Sequence, residues 1–297
     1  MNGNAENLPP DARIVIPHAD DVGMCHGANR AFMELAGLGF VTTGSVMVPC
    51  PWFAEIADWA KGREAGDLGV HLTLTSEWQH YRWGPISTRS PASGLLDADG
   101  CLPRRVPELR AGLDPVAAED EMRAQIERAM AMGIRPTHLD THMGAALVPE
   151  LADRTIALAD EYRLPLLFPR EIESYLGVLN LGPVDPAFYA ERHAALAARG
   201  AAFVDRFVMT PWVASAESDA TYRRMIEALE PGVTFFSLHP NAPGDIEVII
   251  PELAHCRTDE HRLGQDPGFL RHVEDSGVVP IGFAPLLERL RAATARA

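Results

Sequence analysis

Residues 13–23, RIVIPHADDVG, constrain the chain more than any other stretch. Apolar positions run straight into two adjacent carboxylates and then a glycine, which reads as a buried strand ending at Asp20-Asp21 and a tight turn. Neighbouring carboxylates raise one another's pKa unless a cation lies between them, so the pair points to a bound metal or a shared proton. The same pair also fits a helix N-cap with a solvated neighbour. This stretch alone does not choose among these readings.

The rest of the chain repeats one pattern. Helical spacing over 29–38 stops at Gly39, β-branched residues fill 41–48, and a second helix is expected over 51–62. Residues 68–74, LGVHLTL, read as a strand carrying His71. Residues 76–114 are rich in Trp, Pro, Ser and Gly and too long for an ordinary connection, so they read as a functional insertion or lid. A long helix from Pro115 closes at Gly133 and leads into a strand over 136–140 within THLDTHMG. Helices are then expected over 149–162, 185–199, 217–229, 266–276 and from Pro285. Strands are expected over 164–168, 203–209, 233–239 and 278–283. About eight strand–helix alternations without a composition break predict a single α/β domain, a TIM-like (β/α) barrel of seven or eight strands, regular or irregular. A doubly wound nucleotide-binding sheet would call for GxGxxG after the first strand, where this chain has Asp-Asp.

Composition limits partners and location. A net charge of −15 with no basic stripe argues against a nucleic-acid partner. No apolar run approaches the ~20 residues of a membrane span. The first 12 residues lack a signal-peptide pattern and read as a disordered lead, leaving 13–297 as the domain and the cytoplasm as the expected location. Cys25, Cys50, Cys101 and Cys256 are far apart and read as free thiols. The sequence allows a homo-oligomer.

In a parallel barrel the C-terminal strand ends share one face, so residues distant in sequence converge there. Asp20 and Asp21 end the first strand, His71 lies on the third, His142 follows the fourth and His239 ends the seventh. A lone histidine such as His71 is more often a hydrogen-bonded core residue, and the weight lies in the joint placement. One carboxylate and two imidazoles suit a catalytic divalent ion with an open position. His138 and Asp140 alternate onto one strand face, with His142 in the turn beyond. His18 and His26 read as structural or supporting residues, and His80, His193, His255, His261 and His272 as solvated.

The chain resembles the ChbG/HpnK (YdjC-like) carbohydrate deacetylases. The resemblance rests on HADDVG followed by HGANRAF, then GVHLTLT, GLLDADG, THLDTH, FFSLHP, CRTDEHRL and VVPIGF, in order from about Ile14 to Phe283. It implies a barrel-like fold, a divalent metal and hydrolysis of an N-acetyl group on a sugar-type small-molecule substrate. Zn or Mg comes first for the metal, with Mn, Co and Ni also allowed. Carried over by position, Asp21, His71 and His142 match metal ligands, Asp20 the catalytic base, and His239 a histidine suited to general acid. Where the family commonly has a second histidine two residues after the ligand, this chain has Gly144.

The chemistry agrees with those roles. An amide is a poor electrophile and water a poor nucleophile at neutral pH, and a divalent ion addresses both. Trp78, Tyr81 and Trp83 suit either stacking on a sugar or anchoring the lid. Two other functions use the same residues: a metal-dependent isomerase or phosphoester hydrolase, or a non-catalytic ligand-binding barrel. A phosphoesterase calls for more cations than these motifs hold, Arg257 being the main exception, and a binding module has no need of a base and an acid.

Overall fold

A computed structural model describes residues 9, 11–62, 67–199, 201 and 204–294. The expected disordered lead lies largely outside these residues. The centre of the molecule is β1 (Arg13–Val22), buried from Val15 onward. It pairs in parallel with β6 (Gly232–Leu238) over seven consecutive register partners, from Arg13↔Gly232 to Ala19↔Leu238. Burial on both faces explains why both strands read as nearly continuous apolar runs.

On its other edge β1 is shared. Its start pairs with β7 (Val279–Pro280), and its end pairs with β2 (Thr43–Val46). The ladder continues through β3 (Leu68–Leu72) to β4 (Leu139–Thr141) on one side, and from β6 to β5 (Arg206–Met209) on the other. All pairings are parallel, with helices as the connections. These include α1 (His26–Leu35), α2 (Phe53–Ala60), α3 (Val106–Gly112), α4 (Pro115–Ala131), α5 (Ala152–Tyr162), α6 (Ile172–Leu176), α7 (Pro186–Ala198), α8 (Ser215–Glu227), α9 (Ile246–Ile249), α10 (Ala254–Gln265), α11 (Pro267–Asp275) and α12 (Ala284–Thr294). Three of them, α4, α7 and α11, begin alike: Asp114, Asp185 and Asp266 cap the first turn, with proline at the first helical position.

Several expectations are corrected. The ladder is a curled half-barrel and not a closed barrel, because residues 164–168 do not form a strand. Pro165 and Pro169 lack backbone donors, so this segment makes a single bridge, Leu139↔Leu166. Arg170 N and Glu171 N then donate to Val204 O and Asp205 O, so irregular backbone spans the gap between β4 and β5. His239 consequently follows the sixth strand, not the seventh. The stretch between β6 and α11, where no helix is expected from the sequence, holds α9 and α10. His261 on α10 is not solvated: it is buried, with Nε2 2.7 Å from Glu34 Oε2.

Residues 76–114 hold one short 3-10 turn, Pro91–Ser93, and α3. Side chains tie the segment down. Trp83 is buried and its Nε1 donates to Thr75 O at 2.8 Å, while Tyr81 OH donates to Met24 O at 2.5 Å. Glu121 on α4 accepts from the backbone N–H groups of Ile86 and Ser87. Trp83 and Tyr81 therefore anchor this segment. No helix among the described residues is long and apolar enough to cross a membrane, and all four cysteines are free.

Candidate metal centre and active site

The end of β1 breaks the rule that successive strand residues face opposite ways. Between Ala19 and Val22 the β1–β2 register advances three residues on β1 but two on β2, and Asp21 takes a left-handed backbone with φ 62. This irregularity turns both carboxylates to one cluster: Asp20 and Asp21 each offer an oxygen within 4.8 Å of a His71 ring nitrogen. A left-handed conformation at a non-glycine residue costs on the order of 1–3 kcal/mol, which the surrounding contacts must offset.

Asp21 is buried. Its Oδ1 lies 3.1 Å from His142 Nδ1 and 3.5 Å from His71 Nε2, and its Oδ2 accepts from Arg257 Nη1 at 2.8 Å. Burial pushes the Asp21 carboxyl up, but Arg257 and His142 together hold it well below the usual carboxylate range. Metal–donor bonds of ~2.0–2.2 Å place neighbouring donors of a tetrahedral site ~3.3–3.6 Å apart. The 3.5 Å separation falls within that range and the 3.1 Å separation just below it, so the donor set fits a small divalent ion.

Both histidines are backed by carboxylates. His71 Nδ1 makes a 2.9 Å ion-pair contact with Asp140 Oδ2, and that oxygen accepts from Ser45 Oγ at 2.9 Å. His142 Nε2 lies 3.0 Å from Glu77 Oε2, contributed by the 76–114 segment. A carboxylate behind a ligand histidine fixes its tautomer and raises its basicity. Burial lowers the His71 pKa, yet Asp140 outweighs it and the net shift is upward. For His142 burial is likewise overcome, by Glu77 and Asp21, and the ring is lifted to about 10.

A second group, His18, His138 and Asp140, also has metal-compatible spacing. Its nitrogens are already engaged: His18 Nε2 and His138 Nε2 are 2.9 Å apart, and His138 stacks on Phe283 at 3.9 Å between centroids. A Cβ on Gly69 would stand 2.5 Å from the His138 ring, so glycine is what admits this ring against β3. Burial drives the His138 pKa well down. This group is a core polar network beneath the site. It reaches the site through Asp20, whose Oδ1 lies 2.5 Å from His18 Nδ1.

Asp20 Oδ2 accepts from Ser237 Oγ at 2.8 Å and lies 3.7 Å from His239 Nε2. Burial, with Arg257 nearby, brings His239 down to about 4, so its ring is neutral at rest. All five predicted residues, Asp20, Asp21, His71, His142 and His239, thus lie together at the C-terminal strand ends. Glu77, Thr210, Ser237 and Glu260 were not singled out from the sequence: Ser237 and Glu260 lie within FFSLHP and CRTDEHRL but no role attached to them there, and Glu77 and Thr210 have no pattern around them that separates them from ordinary polar residues. Asp140 and Arg257 carried partial signals, the strand alternation and the lone cation.

Fold and cluster together define a (β/α) barrel-like protein with a metal-capable Asp–His–His set and a neighbouring Asp–His pair. The family model for YdjC-like protein matches residues 13–275, and the chain belongs to that family. A carbohydrate deacetylase of Thermus thermophilus is 40% identical over 166 residues, covering 56% of this chain and 57% of the relative. The chain therefore aligns with little more than half of that protein's length. A carbohydrate deacetylase of Thermoanaerobacter pseudethanolicus is 23% identical over 92% of this chain and 99% of its own. A chitooligosaccharide deacetylase of Yersinia enterocolitica is 29% identical over 60% of this chain and 70% of its own. A crystal structure from Enterococcus faecalis V583, of a candidate cellobiose-phosphate cleavage protein, matches with a TM-score of 0.75 at 22% identity, over 93% of this chain and 99% of that one. The latter likeness is one of fold.

Proposed function

We propose that this protein is a metal-dependent hydrolase that removes an N-acetyl group from an acetylated amino sugar or glycan-type substrate. The observation that carries the reading is the convergence of Asp21, His71 and His142 at donor–donor spacing beside the Asp20–His239 pair. Residues 13–297 act as one domain in this reading, with the 76–114 segment at the mouth of the site. Asp21, His71 and His142 hold the ion. Two imidazoles among three donors favour zinc over magnesium, which prefers an all-oxygen shell. When bound, the ion supplies Lewis acidity toward the amide carbonyl and lowers the pKa of water.

The chain's own groups divide the proton work. Asp20, held by His18 and Ser237, accepts the proton of the attacking water. His239, neutral at rest and with Nε2 3.7 Å from Asp20, takes that proton over from Asp20 and delivers it to the leaving amine nitrogen, which returns both groups to their starting state. Arg257 donates through Nη1 to Asp21, so its charge is offset within the cluster, which supports amide over phosphoester chemistry.

The test pairs elemental analysis with acetate release from a panel of N-acetylated sugars. Wild-type protein is expected to hold one ion and release acetate, and Asp20→Asn to keep the ion while turnover drops ~10²–10⁴-fold. Unchanged turnover in Asp20→Asn would remove it as the base. Full metal occupancy in both His71→Ala and His142→Ala would remove the ligand set.

A further inference from the structure

Behind His239, on the side away from Asp20, lies a buried polar group that the roles above leave unused. Thr210 follows β5 directly, and its N–H donates to Ser237 O at 3.0 Å, which holds it in register beside β6. Its Oγ1 lies 2.9 Å from His239 Nδ1, 2.7 Å from Glu260 Oε1 and 3.2 Å from Ser237 O. Glu260, on α10, also accepts from Tyr222 OH on α8, and its Oε2 accepts from the His239 backbone N–H at 2.5 Å. Thr210, Tyr222 and Glu260 are all buried.

A threonine hydroxyl has one proton to give. When Glu260 is ionised, its carboxylate is a stronger acceptor than a neutral ring nitrogen, so that proton goes to Glu260. Donation to Ser237 O would leave the same result at the ring. In either case Oγ1 can only accept from His239, which places the ring proton on Nδ1.

We propose that Thr210 and Glu260 are positioning residues that lock His239 as its Nδ1–H tautomer and leave Nε2, facing Asp20, as the nitrogen that takes up and releases a proton. The inference rests on the proposed role of His239 as proton donor. When Nε2 gives its proton to the leaving nitrogen, the N–H bonding pair stays on Nε2 and the ring returns to the same neutral tautomer. No ring flip or proton exchange at Nδ1 is needed between turnovers. The other charged groups facing the ring, Asp20, Asp21, His71 and Arg257, lie toward the metal-capable cluster and do not compete for Nδ1.

The experiment is two-bond ¹⁵N–¹H correlation of the histidine rings in the full-length protein, with His239 assigned by its loss in His239→Gln. It is recorded in mildly alkaline buffer because burial lifts Glu260 to about 7. Wild type is expected to show the Nδ1–H pattern. Thr210→Val, which keeps the shape and removes the hydroxyl, is expected to lose it, and Thr210→Ser to restore it. In acetate release, Thr210→Val is expected to lower kcat ~10²-fold with KM unchanged, and Thr210→Ser to recover it. An Nε2–H ring in wild type, or an unchanged tautomer in Thr210→Val, overturns the proposal. The wild-type spectrum is decisive even where a variant does not fold. A locked Nδ1–H ring in a protein that turns over no acetylated sugar would overturn the deacetylase reading and leave the relay standing.

Discussion

His71 Nδ1 lies 2.9 Å from Asp140 Oδ2, and the two residues are direct register partners on β3 and β4. The strand ladder itself thus places a carboxylate behind a candidate ligand. Burial pushes Asp140 up, but His71 and the other nearby histidines bring it below the usual carboxylate range. Asp140→Asn keeps the shape and removes the charge, and is expected to weaken metal affinity ~10–100-fold. Competition against a chelator of known affinity measures this, and wild-type affinity in the variant would show that Asp140 does not act through His71.

With His142 as a proposed ligand, metal uptake is expected to be pH-dependent. Its ring, lifted to about 10, carries a proton at neutral pH in the metal-free protein. An ion bound at His142 displaces that proton, so apparent affinity rises with pH toward about 10 and falls as pH drops. For the metal-free fold the sign is opposite. A raised histidine pKa adds stability that is fully present below the unfolded value of ~6.5 and lost as pH rises through the folded one. Calorimetric metal titrations at neutral pH in buffers of different ionisation enthalpy should report a proton released on binding. Binding with no proton release would mean that His142 is unprotonated or is not a ligand.

Gly144 sits where the resembling family has a histidine, and packing accounts for the glycine. Its φ is +73, and a Cβ there would lie 2.6 Å from Leu181 Cδ2 and 3.2 Å from Tyr175 OH. Gly144→His combines left-handed strain, on the order of 1–3 kcal/mol, with overpacking of similar size. Chemical denaturation should show a loss of at least ~1 kcal/mol, and a variant as stable as wild type would mean that the Leu181 contact yields freely.

Trp83 is the apolar anchor of the 76–114 segment and ends 6.2 Å, between ring centroids, from His142. Trp83→Ala is expected to cost ~3–5 kcal/mol. Because Glu77 on the same segment backs His142, the variant should also bind metal less tightly. Unfolding curves and metal titration check the two effects separately. Lost stability with unchanged metal affinity would uncouple the anchor from the site.

Much of this arrangement is legible in the chain. The apolar run into Asp20-Asp21, His71 within LGVHLTL, His142 just past the fourth strand and His239 at the end of FFSL are local patterns. Parallel topology then places all of them on one face, since every strand points the same way. The open ladder was less legible, because an apolar stretch such as 164–168 looks like a strand until Pro165 within it and Pro169 just after it are set against the donors a ladder needs.

The sequence by itself determined which residues could reach the C-terminal face, because apolar periodicity and strand direction are local properties of the chain. Only the tertiary structure decided how they meet. Strict alternation would send Asp20 and Asp21 to opposite faces, and the left-handed turn at Asp21 brings them together. The groups behind the site, Asp140 and Glu77 at the two histidines, Arg257 at Asp21, and Thr210 with Glu260 at His239, come from segments up to 236 residues apart. Register and long-range packing set those pairings, and neither is written in any window of neighbouring residues.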